Sequence, residues 1–450
     1  MLYKFFRKFP LLIILCSAFL IRLIYFGFVF LRNPDGIYVF DSYGYWQIAF
    51  NLREYGVFSQ SYQLPLEPDY YRTPLYPFFI IMSESIGTEG ISIILAQVIL
   101  AVLTCYFTFK ISIAITASRY ISCVSAFIIA IDIPSIVMNT LVLTETLFTF
   151  VLIVSTYTFI RFVQTKNLKQ LFLSALFCGA AILCRPIGFF IPFLFSFFLL
   201  ISERKQFHKI IRPLLIFSVT VFLTISPWLI RNKVTFDHYF LSVIREHNMQ
   251  NYQAAAVYAK LHNRSLPESQ SILRWKTFKA FKGDANKQPY EYAKFIERDA
   301  INIALENPGI LLEHLLKQNF YFFIKPCRAY IDIQLGNWGT NYNTIPKDYP
   351  IFKYLFEHNS KLTITLVIFQ LILLAVLYLA ILFGAVYLKQ GGKMFYFLLL
   401  LHLVFCFANL TMPSIAESRF RVPVMPYIAI LSASGMYFLR EKFGKKLMKK

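Results

Sequence analysis

The sequence predicts an all-α polytopic membrane protein with about ten transmembrane helices and further helices in its external loops. Three observations carry that prediction. First, 57% of the 450 residues are hydrophobic and only 15% are charged, far from the balance of a soluble domain. Second, the apolar residues fall into repeated runs of about 20, the length that crosses a hydrocarbon core as a helix, whereas barrel strands are short and alternating. Third, the basic residues are sorted to one side of those runs, as the positive-inside rule requires.

In order, residues 1–10 (MLYKFFRKFP) are basic and residues 11–31 are apolar except for Arg22. The run is too long for a signal-peptide core and lacks a small-residue cleavage site, so it reads as a retained helix. Arg22 within it either pairs in the bundle or marks a functional position. Further spans are expected at 91–110, 119–137, 142–161, 169–184, 187–201, 210–229, 361–388, 394–412 and 421–440. The run 73–86 carries two prolines and is too short to cross, so it is expected to lie at the interface or to re-enter. Three sections follow: 1–230, an N-terminal membrane module whose first external loop is 32–90; 231–360, a mostly helical external segment; and 361–450, the C-terminal membrane helices. In the external segment, Asn307-Pro308-Gly309 divides two helical patterns, the second expected to lie on the membrane.

With ten alternating spans, the loops on the side of the N-terminus hold 20 Lys and Arg against two acids, Glu203 and Glu441. That face carries +18 of the net charge of +21. Both termini are therefore expected in the cytoplasm, and the charge needs no nucleic-acid partner. Seven cysteines sit mostly inside apolar runs and form no C-x-x-C pair, which argues against a disulfide framework or a zinc site. There is no Gly-rich phosphate loop, no G-x-S-x-G, no H-E-x-x-H and no internal repeat. His238, His247 and His262 lie loosely together without metal-ligand spacing and read as surface residues.

Apart from Arg22, the polar exceptions fall at external ends of spans: Asp41, Asp132 and Glu145, Arg185, Arg231 with Asn232, and Glu417, Arg419 and Arg421. Ions near hydrocarbon are costly unless paired, so such a set is expected to converge on one external-facing cavity. A carboxylate can act as general base, and arginines fork onto phosphate oxygens while remaining charged. Together they suit attack by an acceptor on a carbon whose leaving group is phosphate. Two other classes share the span count, a transporter or lipid flippase and a non-catalytic assembly factor for envelope polysaccharide. A transporter is disfavoured because repeats and mid-depth broken helices are not evident.

The ordered motifs LIRLIYF, FDSYGYWQIAFNL, YRTPLYPFF, LTETLF, LCRPIGFF, SPWLIRN and ESRFRVPVMPYIAIL cover nearly the whole chain. In that order they resemble the GT-C superfamily of membrane glycosyltransferases, near the family 39-like group of protein O-mannosyltransferases and the lipid A aminoarabinose transferase. The resemblance implies a GT-C-like fold, a polyprenyl-phosphate-linked sugar as donor, an external active site in a cell membrane such as the bacterial inner membrane, and inversion at the anomeric carbon. It implies Asp41 as base, Arg72, Arg185, Arg419 and Arg421 as contacts to donor phosphate or sugar, and Glu145, Tyr71 and Tyr43 as residues orienting acceptor or sugar. Many superfamily members carry two adjacent acids in the first loop. Here Ser42 follows Asp41, and Asp35 looks like a turn residue, so no cofactor is required and a divalent metal is not favoured. The acceptor class, whether glycan, lipid or protein, is left open.

Overall fold

The computed structural model describes residues 10–85, 87, 90–202, 208–337, 360–388 and 417–447, and these contain helices and no strands. The chain begins with α1 (Pro10–Arg32), α2 (Phe40–Tyr55), α3 (Leu75–Glu84), α4 (Ile91–Thr116), α5 (Arg119–Ile131), α6 (Ile133–Asn139) and α7 (Glu145–Thr165). It continues through α8 (Leu168–Cys184), α9 (Ile191–Ser202) and α10 (His208–Phe236). The external segment contributes α11 (Ile244–Asn248), a π-helical turn at Met249–Ala254, α12 (Ala255–Leu261), α13 (Leu266–Ala280), α14 (Pro289–Leu305), α15 (Pro308–Ile324) and α16 (Arg328–Gln334). The last helices are α17 (Lys361–Leu388) and α18 (Met425–Leu447), the latter entered through a 3₁₀ turn at Ser418–Val424.

The protein is thus an integral, multi-pass membrane protein, as the apolar runs predict. Among the described residues, six helices are long and apolar enough to cross, or seven if α5 and α6, which meet at a bend of 54°, form one broken span. The expected ten are therefore not all met by length. Helix α8 and the run Pro186–Ile201 are shorter apolar helices, and 394–412 lies outside the described residues. Helix α3 has ten residues, about 15 Å at 1.5 Å per residue, half of the roughly 30 Å hydrocarbon core.

The bundle is organised around α7 and α18, whose apolar windows are 78% buried, against 22% for α1 and α17. Helix α18 reaches α17 through small residues. A side chain at Gly435 would put its Cβ 1.8 Å from the Ala380 carbonyl, and one at Gly384 would meet the Leu431 carbonyl at 2.4 Å. Close backbone approach through glycine is a standard way for helices to associate in lipid.

Arg22 is spent on architecture. It is fully buried and donates to the carbonyls of Ile129 at 3.1 Å and Ala130 at 3.2 Å, besides Ala18 of its own helix at 3.1 Å. In an unbroken helix the Ala130 carbonyl would take the amide of residue 134, but Pro134 has none. Asp132 caps the other side of the break, accepting from the Ser135 amide at 3.0 Å. Arg22 and Asp132 thus satisfy backbone groups freed at the bend, which would cost several kcal/mol if left free in lipid.

The external helices build a small cluster with its own core of Ala254, Ala255, Leu273 and Ala300. It docks on the first external loop. The Val243 amide donates to the Tyr70 carbonyl at 3.2 Å, and Arg231 to the Asp69 carbonyl at 2.7 Å. Helix α15 follows the Asn307-Pro308 break and leaves Leu312, Leu316 and Phe320 exposed at four-residue spacing, the stripe expected of an interfacial helix. Helix α16 returns to the bundle, where Gln334 donates to the Thr140 hydroxyl at 2.7 Å and accepts from the Tyr25 hydroxyl at 2.7 Å.

Candidate functional site

Helix α2 sets the site. Its first turn carries Asp41, where the helix dipole favours a carboxylate, and Ser42 accepts from the Val39 amide at 3.0 Å to fix the start. One turn on, Tyr45 lies on the same face as Asp41, while Tyr43 points elsewhere. The polar side of α2 holds the loop that follows. Asn51 donates to the carbonyls of Ser59 at 2.8 Å and Ser61 at 2.9 Å, and Gln47 to that of Ser61 at 3.2 Å. At the end of this loop Asp69 accepts from the amides of Tyr71 at 3.1 Å and Arg72 at 2.7 Å. That turn aims Arg72 back at α2. Gly44 makes room, since a Cβ there would sit 2.5 Å from the Gln60 side-chain oxygen and 3.9 Å from an Arg72 nitrogen.

Arg72 donates to Asp41 Oδ1 at 2.8 Å and to the Tyr45 hydroxyl at 3.3 Å, with its guanidinium 4.6 Å over the Tyr45 ring. Arg419, from the 3₁₀ turn before α18, donates to Asp41 Oδ2 at 2.9 Å. Its Nε also lies 3.9 Å from Glu145 and 3.5 Å from Glu417. Glu145, at the start of α7, is fully buried and accepts from Arg185 at 2.5 Å. Arg185 stands at the turn after α8, beside the Cys184 carbonyl that accepts from Thr73 at 3.0 Å. Five side chains from five separate stretches therefore form one alternating chain: Arg72, Asp41, Arg419, Glu145, Arg185. Burial pushes the Asp41 carboxyl upward, but Arg419 and Arg72 outweigh it and hold it well below the usual carboxylate range.

These five, with Tyr45 and Tyr71, line a cavity of about 970 Å³. The external segment adds His247, Asn248, Asn251 and Tyr252 to the lining. The Nε–H groups of Arg72 and Arg419 are buried without a hydrogen-bond partner. Guanidinium groups lining a cavity are suited to an oxyanion.

The structure thus brings together Asp41, Arg72, Glu145, Arg185, Arg419 and Tyr71 of the residues predicted from sequence. It does not bring Arg421 or Tyr43. Arg421 is fully buried and donates to the carbonyls of Phe322 at 2.6 Å, Phe323 at 2.9 Å and Lys325 at 3.1 Å. It closes the C-terminal end of α15, because two steps along the 3₁₀ turn it faces away from Arg419. Tyr43 is half exposed and stacks on Tyr38. Asp35 is exposed in the turn Pro34–Ile37. Tyr45, Asp69, Asn248, Asn251 and Tyr252 went unread, and His247, expected at the surface, instead lines the cavity against Tyr71. Tyr45 was legible as the residue four after Asp41 on one helical face. Asp69 was legible as an acid placed to cap the turn leading to Arg72. His238 and His262 stay outside, stacked on Tyr290 and Tyr258. Among the described residues no three His, Cys, Asp or Glu side chains gather as a metal-ligand set.

The family model described as dolichyl-phosphate-mannose-protein mannosyltransferase matches residues 71–230, a stretch that includes Arg72, Glu145 and Arg185 but not Asp41. Among solved structures, the archaeal oligosaccharyltransferase AglB from Archaeoglobus fulgidus, in complex with an inhibitory peptide and a dolichol-phosphate, is similar at a TM-score of 0.52 and 15% identity, over 99% of this chain and 52% of that one. ArnT from Cupriavidus metallidurans bound to undecaprenyl phosphate has a TM-score of 0.42 and 12% identity, over 93% of this chain and 77% of that one. The chain spans about half the length of the oligosaccharyltransferase. No curated protein sequence matches it. The resemblance read from the ordered motifs is borne out at the level of the fold, which is that of the GT-C membrane glycosyltransferases.

Proposed function

We propose that this chain is a membrane glycosyltransferase that moves a sugar from a polyprenyl-phosphate donor to an acceptor at the external face, with inversion. One observation carries the reading: a carboxylate at a helix start shares one large cavity with three arginines, two of which are paired to it. In the step, the acceptor oxygen or nitrogen forms a bond to the anomeric carbon while the bond from that carbon to the phosphate oxygen breaks. The acceptor proton passes to Asp41, and the electron pair leaves on polyprenyl phosphate, held by Arg72, Arg185 and Arg419. A phosphate leaves as a stable anion and needs cationic stabilisation more than a proton.

The resting geometry gives the step an order. With both carboxylate oxygens held by arginines, Asp41 is a weak base. Donor phosphate competes for the same guanidinium groups, frees the carboxylate and places a second anion beside it, and both effects raise its basicity. Glu145 keeps Arg185 in place, and Tyr71 lines the approach to the cavity. The reading assigns charge stabilisation to the arginines with no required metal, on the ground that Ser42 stands beside Asp41 and each Asp41 oxygen already has an arginine. Support for an external site in a cell membrane such as the bacterial inner membrane, with both termini cytoplasmic, comes from the bias of basic residues in the loops.

The test is turnover by purified protein in liposomes loaded with a panel of undecaprenyl-phosphate sugars, an envelope extract supplying acceptors. Mass spectrometry follows free undecaprenyl phosphate. Release that requires the protein supports the reading and names the donor. Absence of release from every donor by folded protein counts against it and moves weight to transport.

A further inference from the structure

We propose that the external segment reads the acceptor through an uncharged hydrogen-bonding wall, and that this acceptor is a neutral, hydroxyl-rich glycan end. The inference rests on the transferase reading and adds the substrate class. The wall is His247, Asn248, Asn251 and Tyr252, carried by α11 and the π-helical turn after it. A π turn widens the helix, and such turns need outside support because they interrupt the regular bonding. Here Gln270 donates to the Asn251 carbonyl at 2.7 Å, and Gln250 anchors the buried side by donating to the Thr277 hydroxyl at 2.8 Å.

Two atoms on this wall are buried with no hydrogen-bond partner: His247 Nε2 and Asn251 Oδ1. Polar atoms left without partners in a buried position are costly, and a ligand that supplies partners recovers that cost. The His247 ring packs 4.7 Å from the Tyr71 ring, next to the Arg72 that holds Asp41. Burial lowers the His247 imidazole to about 4, so it is neutral at ordinary pH. Lys287, which also lines the cavity, lies 3.6 Å from Asp284. The cavity lining therefore holds two chemical sets of groups. The arginine set suits a phosphate. The α11 set offers an amide, an imidazole and phenols without net charge, the groups that satisfy sugar hydroxyls, and its tyrosine faces suit sugar C–H surfaces.

The test uses the full chain in lipid nanodiscs and two readouts. Affinity mass spectrometry measures retention from a library of neutral and acidic oligosaccharides, and a binding titration measures undecaprenyl phosphate. The variants are Asn251→Ala, His247→Ala and the near-isosteric Asn251→Asp, which keeps the fold while adding a negative charge. We expect neutral members to be retained by the wild type and weakened at least about fivefold by each variant, the loss of roughly one hydrogen bond. The undecaprenyl phosphate Kd should stay within about twofold for the two alanine variants, which also certifies their folding. Retention of acidic members only, no retention of neutral ones, or retention indifferent to all three variants overturns the proposal. Failure of the wild type to bind undecaprenyl phosphate would instead sink the donor assignment, while variant-sensitive glycan retention would still stand.

Discussion

Replacing Asp41 by Asn should separate chemistry from donor binding in opposite directions. The amide keeps the shape of the side chain but cannot take a proton, and loss of a general base typically costs 10²–10⁴ in rate. Turnover should therefore fall by about that factor. Donor phosphate, however, should bind more tightly. In the wild type it must displace a carboxylate that accepts from Arg72 at 2.8 Å and Arg419 at 2.9 Å. Charge-assisted hydrogen bonds contribute roughly 1.5–3 kcal/mol each. The neutral amide has one oxygen for two guanidinium groups, and it no longer repels the incoming anion. Recovering even half of one such bond, about 1.4 kcal/mol with the relieved repulsion, is a tenfold fall in Kd. The assay is titration of undecaprenyl phosphate into nanodisc-held wild type and variant, beside the liposome turnover. Wild-type turnover in the variant would remove Asp41 as base. Weakened lipid-phosphate binding would refute the competition for Arg72 and Arg419.

Arg421→Met should lower Tm and folded yield, because three carbonyls at the end of α15 lose their donor, yet leave undecaprenyl phosphate Kd unchanged in the folded fraction. Arg185→Gln should do the reverse of that split, weakening undecaprenyl phosphate binding measurably, and it also leaves the buried Glu145 charge short of its 2.5 Å partner; equal effects of the two variants on Kd would dissolve the distinction drawn between them. Burial holds the His247 imidazole down at about 4 from 6.5, so the folded state resists the proton that the unfolded state accepts. Its contribution to stability is intact above about pH 6.5 and is lost progressively as pH falls towards 4, a decline in Tm that His247→Gln should flatten. Turnover should survive removal of divalent ions by EDTA; loss that is restored by added Mg²⁺ or Mn²⁺ would overturn the metal-free reading.

How much of this was legible follows from how each feature is encoded. The helices of the bundle are written in long apolar runs, so α1, α4, α7, α10, α17 and α18 were readable from hydropathy alone. The break at Asn307-Pro308 and the shortness of α3 were readable from proline chemistry. The pairing of ions was not readable, because Asp41 and Arg419 are 378 positions apart and no local pattern links them. Arg419 and Arg421 illustrate the limit. From sequence they are equivalent cations at the mouth of the last span. The 3₁₀ turn sends one to Asp41 and the other to the end of α15, and that handedness emerges only from packing. Arg22 looks functional in a hydropathy profile, but its use was encoded at a distance by Pro134, which leaves a carbonyl in want of a donor. The α11 wall lay in the segment with the least motif content, and the π turn that shapes it depends on Gln250 and Gln270 finding partners on other helices.

The measurement that bears most directly on the central claim is an experimental structure of the protein in lipid with a non-cleavable polyprenyl-phosphonate sugar. The account predicts phosphonate oxygens within hydrogen-bond distance, about 3 Å, of at least two of Arg72, Arg185 and Arg419, with Asp41 released from one arginine and facing the anomeric carbon. A lipid headgroup seated away from these arginines, with the Asp41 pairs intact, would contradict it.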